Sequence, residues 1–432
     1  MDADVLVVGA GPAGLAAAAE LRRLGVRRVV VADREAVPGG VPRHSQHTGY
    51  GLRDLHRVLS GPAYARVLTD TATRAGAELR AGCTVTDLRA GGDGVSAVLT
   101  SAAGIEEVRP AAVLLATGCR ERPRAARLVP GDRPPGVLTT GELQQRVYLA
   151  GERLAGRALI VGAEHVSFSA AVTLAHAGAR VIALVTDQRQ HQSYAAFKLG
   201  AALRWRVPVW TSTAVTRVTG AGGRLATVDV ADTDGGHART VACEWLVFTG
   251  DWIPDHALAR TAGVPLDSGT QGPAIDTTMA TSAPGVFAAG NLVHAAETAD
   301  VAALSGRHAA RQIASYLAGP PAQRPSPAPG PSPAPGPSPV PVVAEPPLRW
   351  ISPNAIGADQ VLPPLGRFAL RAAEFRPRAR LEARQDGRLL ARSRPLRLIP
   401  GRPLHLRASW VTSVDPGGGP VRVCVERPGT AG

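Results

Sequence analysis

The hexapeptide Gly9-Ala-Gly11-Pro-Ala-Gly14 constrains this chain more than any other stretch, because of what flanks it. Asp4–Val8 is an apolar strand run, and Pro12–Leu24 follows with an Ala/Leu helix pattern. Gly25 ends that helix, and Val26–Ala32 reads as a second strand. Each glycine has its own task in such a turn. Gly9 permits the tight bend, Gly11 lets the backbone approach a pyrophosphate, and Gly14 allows close helix–strand packing. The helix that opens with Pro12 and Ala13 then supplies amide donors at its N-terminus to an anion. Asp33, followed by Arg34, closes the second strand about twenty residues on, where a carboxylate can accept ribose hydroxyls. A dinucleotide site is the expectation.

A similar unit recurs. Arg157–Val161 reads as a strand, Gly162–Ser167 as a turn, Ser169–Ala177 as a helix and Arg180–Val185 as a strand. Val113–Gly118 and Leu246–Gly250 are both hydrophobic strands that run out in Thr-Gly. The expected fold class is therefore α/β, with two Rossmann-like three-layer nucleotide-binding domains. The first is discontinuous, over 1–118 and 251–318, and the second occupies 119–250. Thirteen of the 37 prolines lie between Pro320 and Pro347, so 319–346 reads as a polyproline II spacer. Beyond it, 347–432 alternates in polarity, with turn signals at Asp386-Gly387 and Pro400-Gly401. That pattern, with Arg378–Arg384 and Pro403–Ser409 as strands, predicts a small all-β domain.

Further motifs point to a family. Gly39-Gly40, Ala116-Thr117-Gly118 and the run Ser282–Asn291, a strand ending in Gly290-Asn291, follow the first turn in order. A small-residue helix carrying Glu297, Thr298 and Arg307 comes next. Over roughly Ala3–Ala318 this chain resembles the two-dinucleotide-fold FAD oxidoreductases, the superfamily of thioredoxin and glutathione reductases. The resemblance implies FAD as cofactor, with its ADP part on Gly9–Gly14 and Asp33. It also implies that Gly39 and Gly40 flank the pyrophosphate, that the strand of Val85 meets the adenine, and that Thr117-Gly118, Gly290-Asn291 and Thr298 serve the ribityl and flavin end. That family usually has Asp where this chain has Asn291, whose amide can still bond a ribityl hydroxyl.

Two departures redirect the reading. The four cysteines, Cys83, Cys119, Cys243 and Cys424, offer neither a redox pair nor metal-ligand spacing, which argues against disulfide reduction and against a bound metal. The second turn reads Gly162-Ala-Glu164-His-Val-Ser167, with Glu164 where a nicotinamide unit needs glycine. Like charges at about 4 Å cost on the order of one to a few kcal/mol, so NAD(P)H is disfavoured there, although Asp187 could accept a ribose. The segments Ala116–Pro123 and Pro130–Gly141 are similar to the flavin subunits of opine oxidases and hydrogen cyanide synthase. That resemblance implies one subunit of a heteromeric enzyme that works on an amine or amino-acid-like substrate, with electrons leaving through a partner oxidoreductase subunit. An NAD(P)H-dependent reductase of an electron-transfer protein, and a scaffold that keeps FAD for structure, are the alternatives.

His44 and His47, with Arg43, follow Gly39-Gly40, where a histidine could take a proton from a substrate amine or bond the flavin; ordinary loop histidines are the competing reading. His294 and Glu297 follow Gly290-Asn291 and compete with helix N-terminal capping. Trp205, Trp245 and Trp252 read as packing residues. The net charge of +13 invites a nucleic-acid reading, but fifteen arginines against six acidic residues from Leu348 onward account for most of it. No nucleic-acid motif accompanies them, and lysine is nearly absent, as GC-biased coding would produce. The first apolar run is too short to span a bilayer, and Asp2 and Asp4 oppose a signal peptide, so a cytoplasmic protein is expected.

Overall fold

Continuous apolar runs that bury both faces define the first sheet. Val5–Val8, Val29–Asp33, Ala112–Leu115 and Val286–Ala288 are buried almost throughout. With Glu78–Ala81 they form a five-stranded parallel sheet in the order 286–288, 112–115, 5–8, 29–33, 78–81. The computed structural model describes residues 3–92, 94–193, 207–319 and 338–426. Of the expected spacer 319–346, residues 320–337 lie outside the described residues, as does Trp205. Val340–Ala344 is instead a strand of the β region, paired with Val421–Val425, so the spacer does not extend to 346. Contacts divide the chain into two units, one of Met1–Arg43, Thr48–Cys119 and Pro254–Gly432, the other of His44–His47 and Arg120–Ile253.

In the first unit the helices Pro12–Arg23 and Ala299–Ala318 cross at their small residues. A β-carbon at Gly306 would run into the Ala13 carbonyl oxygen, so this approach requires glycine. An antiparallel meander, Thr84–Gly91, Gly94–Ser101 and Gly104–Val108, packs into the same core. The second unit is built the same way. Its parallel sheet runs in the order 137–139, 245–248, 156–161, 179–185, 209–210, with a three-stranded antiparallel sheet beside it. Its glycine-turn helix begins at His165, not Ser169, because Glu164 already takes the extended backbone of an N-cap.

From Val340 to Val425 the described elements are strands and short 3-10 turns. A five-stranded sheet and the three strands Leu348–Ser352, Arg367–Ala372 and Leu404–Arg407 enclose one core around Phe368, Leu370, Leu381 and Val421. The strand expected over Arg378–Arg384 is two strands. Arg376–Ala379 pairs with Leu396–Leu398, whereas Leu381–Gln385 pairs with Val421–Val425, so the chain changes sheets at Arg380. This β region belongs to the first unit. Asn354 and Ala355 donate their amides to the Ile275 carbonyl at 2.9 and 3.2 Å.

Candidate active site

The first glycine turn is closed by its neighbours on the sheet. Gly9 has φ +105°, and a β-carbon there would lie 2.5 Å from the Ala116 carbonyl oxygen. A β-carbon at Gly14 would strike the Gly9 carbonyl. Gly11 differs: a β-carbon would meet no atom within 4 Å, and its backbone is extended at φ −80°. Open space therefore lies over the turn, at the start of a twelve-residue helix that no side chain caps. Unclaimed amide donors facing open space are what an anionic diphosphate needs.

The other residues expected here converge on this turn. Asp33 accepts the Ala10 amide at 2.5 Å and the Glu35 amide at 2.8 Å, holding the turn while its carboxylate keeps further lone pairs. The Gly39 amide donates to the Ala10 carbonyl at 2.8 Å. Gly40, at φ +62°, lies against Gly11, where a β-carbon would come within 2.9 Å of its Cα. Gly290, at φ +71°, packs on Ala13 and donates its amide to Ser305 Oγ at 2.9 Å. The turn, Asp33, Gly39-Gly40 and Gly290 thus form one continuous cradle of backbone, and its shape fits a dinucleotide such as FAD.

Other expected residues spend their side chains on the protein. Asn291 accepts the Glu297 amide at 2.9 Å and donates to the Glu297 carbonyl at 3.2 Å, clasping the loop between them. Thr298 opens the Ala299–Ala318 helix, accepts a bond from Arg53 at 3.0 Å, and donates to Asp300. Val85 is buried in the core, so any ligand contact there falls to its backbone. Thr117 Oγ1 donates to the Asp255 carbonyl at 2.7 Å, the Gly118 carbonyl accepts the Asp255 amide at 2.9 Å, and Arg34 pairs with the Asp255 carboxylate at 3.3 Å. Asp255 and the Arg53–Asp300 pair carry no motif that a reading of the sequence alone could find. His44 is buried and His47 exposed, within the segment 44–47 that groups with the second unit.

The second turn is filled from within. Glu164 Oε2 accepts the Ala163 amide at 2.9 Å, and Oε1 accepts Thr249 Oγ1 at 2.5 Å. β-Carbons at Gly162 and Gly250 would come within 2.8 and 2.5 Å of the same carboxylate, so it lies wedged between two glycines. A side-chain anion thus sits at the start of the His165–Ala177 helix, where a nucleotide phosphate would otherwise sit. Glu121, whose carboxylate accepts the Gly141 amide at 2.7 Å, is pushed up to about 7, chiefly by burial and further by the charge of Glu164. Trp245 packs as expected, donating to the Ala155 carbonyl at 2.8 Å with Arg146 over its ring. Among the described residues no group of three metal-ligating side chains occurs, and no helix is long and apolar enough to cross a membrane.

This architecture defines a two-dinucleotide-fold oxidoreductase, and comparison agrees. Residues 3–306 match the pyridine nucleotide-disulphide oxidoreductase family. The chain belongs to that family of FAD-dependent oxidoreductases. It is 34% identical over 187 residues to an opine oxidase subunit of Agrobacterium tumefaciens, covering 40% of this chain and 35% of that protein. It is 35% identical over 187 residues to the HcnB subunit of hydrogen cyanide synthase from Pseudomonas aeruginosa, covering 42% of this chain and 38% of that one. The chain thus spans little more than a third of the length of these relatives. Thioredoxin reductase of T. acidophilum shares the fold, with a TM-score of 0.63 and 20% identity over 74% of this chain and 99% of that one.

Proposed function

We propose that this chain is the flavoprotein subunit of a heteromeric dehydrogenase or oxidase that takes a hydride from an amine or amino-acid-like substrate. The observation that carries the reading is the contrast between the two glycine turns. The first is open over Gly11, whereas the second is filled by its own Glu164. FAD would be held by Gly9–Gly14, Asp33, Gly39-Gly40 and Gly290, and when bound it supplies the two-electron acceptor. The first turn's amides would donate to the pyrophosphate oxygens, and Asp33 would accept from the ribose hydroxyls. His44 and His47, just beyond Gly40 in the chain, would handle the proton that an ammonium substrate must lose before oxidation. The likeness of 187-residue spans of the chain to an opine oxidase subunit and to a hydrogen cyanide synthase subunit supports electron transfer onward to a partner protein.

An anaerobic titration of the purified protein tests this. NADH and NADPH are expected to leave the oxidised flavin band largely intact, while one of a panel of amino acids, opines and secondary amines bleaches it. Rapid bleaching by either nicotinamide would replace this reading with a single-chain reductase. Flavin that no donor reduces would make the protein a scaffold.

A further inference from the structure

The β region beyond the family match meets the loop that follows Gly290-Asn291 through its polar side. Along Arg367–Ala372, Phe368 and Leu370 enter the core, while Arg367, Ala369 and Arg371 share the other face. Trp350 lies opposite Arg371 on the neighbouring strand, and Ser352 lies opposite Ala369. A face that alternation would assign to solvent is buried here, with Trp350, Ser352 and Arg371 each nearly inaccessible.

The contacts are specific. Arg371 Nη2 donates to Glu297 Oε1 and to the Ala296 carbonyl, both at 2.9 Å. The two paired side chains are only 6% and 4% exposed. The Arg371 guanidinium also lies over the Trp350 ring, 4.9 Å from its centroid, and the His294 ring packs on that tryptophan at 5.2 Å. Glu297 in turn is the residue whose backbone Asn291 holds with both ends of its amide. One chain of contacts thus runs from the β region through Arg371, Glu297 and Asn291 to Gly290, which packs on the first helix.

We propose that Arg371 is a positioning residue for the cofactor: it neutralises Glu297 and fixes the 291–297 loop, so that the appended β region completes the FAD site in cis. This rests on the reading that FAD lies on the first glycine turn and reaches Gly290-Asn291. A buried carboxylate left without its cation disturbs its surroundings far more than a neutral pair of similar shape. Removing Arg371 alone should therefore distort the loop and leave Glu297 without its hydrogen-bonded cation, with only the unbonded Arg367 acting on it, beside a cofactor that becomes more negative on reduction.

The full-length chain carries the test, read by FAD dissociation constant, flavin absorption spectrum and midpoint potential. Arg371→Met is expected to weaken FAD by roughly tenfold and to lower the potential, because it orphans a buried charge. The double variant Arg371→Met with Glu297→Gln should recover both readouts to within about threefold of the wild type, since a neutral pair leaves no buried charge. Glu382→Gln perturbs the same β region elsewhere, at the pairs with Arg384 and Arg392, and should leave both readouts unchanged. If Glu382→Gln reproduces Arg371→Met, or if Arg371→Met leaves affinity and potential at the wild-type level, the proposal fails. Gly11→Leu separates this outcome from failure of the underlying reading. Its side chain enters open space, so the protein should fold but bind no FAD. Retention of FAD by Gly11→Leu would place the cofactor elsewhere and overturn both.

Discussion

At the scale of single residues, Glu164 decides what the second dinucleotide fold can do. Its carboxylate satisfies the Ala163 amide and Thr249, and so does the work of a bound anion. Glu164→Gly is expected to create measurable NADH binding, with affinity gained by at least about tenfold for each 1.4 kcal/mol of relieved repulsion. Isothermal titration of the variant checks this. Glu121 provides a second readout, because the loss of Glu164's charge should let it titrate below about 7. An unchanged nicotinamide affinity would mean that the turn is closed by something other than this side chain. The charge conflict at Glu164 is legible in the sequence, since a glycine position is visibly missing. The inward turn of its carboxylate is not, because the Thr249-Gly250 strand exit is remote in the chain and its pattern does not say which side chain it meets.

At the scale of elements, the loop between Gly290 and the Ala299–Ala318 helix is expected to respond to acid. His294 is depressed to about 3 by burial of its ring and by the Arg371 cation, and its Nδ1 has no partner among the described residues. His405 is lowered to about 4, mainly by burial and then by Arg367. A histidine kept neutral in the fold but free to protonate when unfolded stabilises the protein above its ordinary value near 6.5. That contribution is lost as pH falls towards 3. For His294 alone the loss by pH 4.5 is on the order of 2–3 kcal/mol. Melting temperature followed from pH 7 to 4.5 should fall less steeply in His294→Phe, which keeps a ring on Trp350, than in the wild type. Parallel acid limbs in the two proteins would assign the loss to other groups, among them His308, which burial also lowers.

The elements themselves are largely legible in the sequence. The apolar runs at Val5–Val8 and Ala112–Leu115 and the glycine spacing place the first sheet and its turn, because local pattern and backbone geometry decide both. What escapes is the role of the strands after Leu348. Arg367, Arg371 and His405 look like the solvent side of alternating strands, and only a contact 74 positions away shows that Arg371 faces a carboxylate. Patterning reports which face is polar, not whether a polar face is covered. Nor does the sequence show that the Asn291 side chain bonds the Glu297 backbone at both ends of its amide.

At the scale of the whole molecule, flavin binding and the β region should be energetically linked. A ligand that binds only the folded form stabilises it by about 2.7 kcal/mol at a hundredfold excess over its dissociation constant. Hydrogen exchange with and without FAD should therefore show added protection in Arg367–Ala372 and Leu404–Arg407, as well as in the parallel sheet. Protection confined to Val5–Val8, Ala112–Leu115 and Val286–Ala288 would mean that the two parts open independently.

The Arg371–Glu297 contact joins two parts of one polypeptide, and this changes the strength it needs. Because both parts belong to one chain, their docking is an intramolecular event. Two faces carried on one chain meet at an effective concentration on the order of millimolar. A freely diffusing protein at micromolar levels would need an interface roughly a thousandfold tighter to be equally occupied. A handful of buried polar contacts is then sufficient, and dilution does not loosen them.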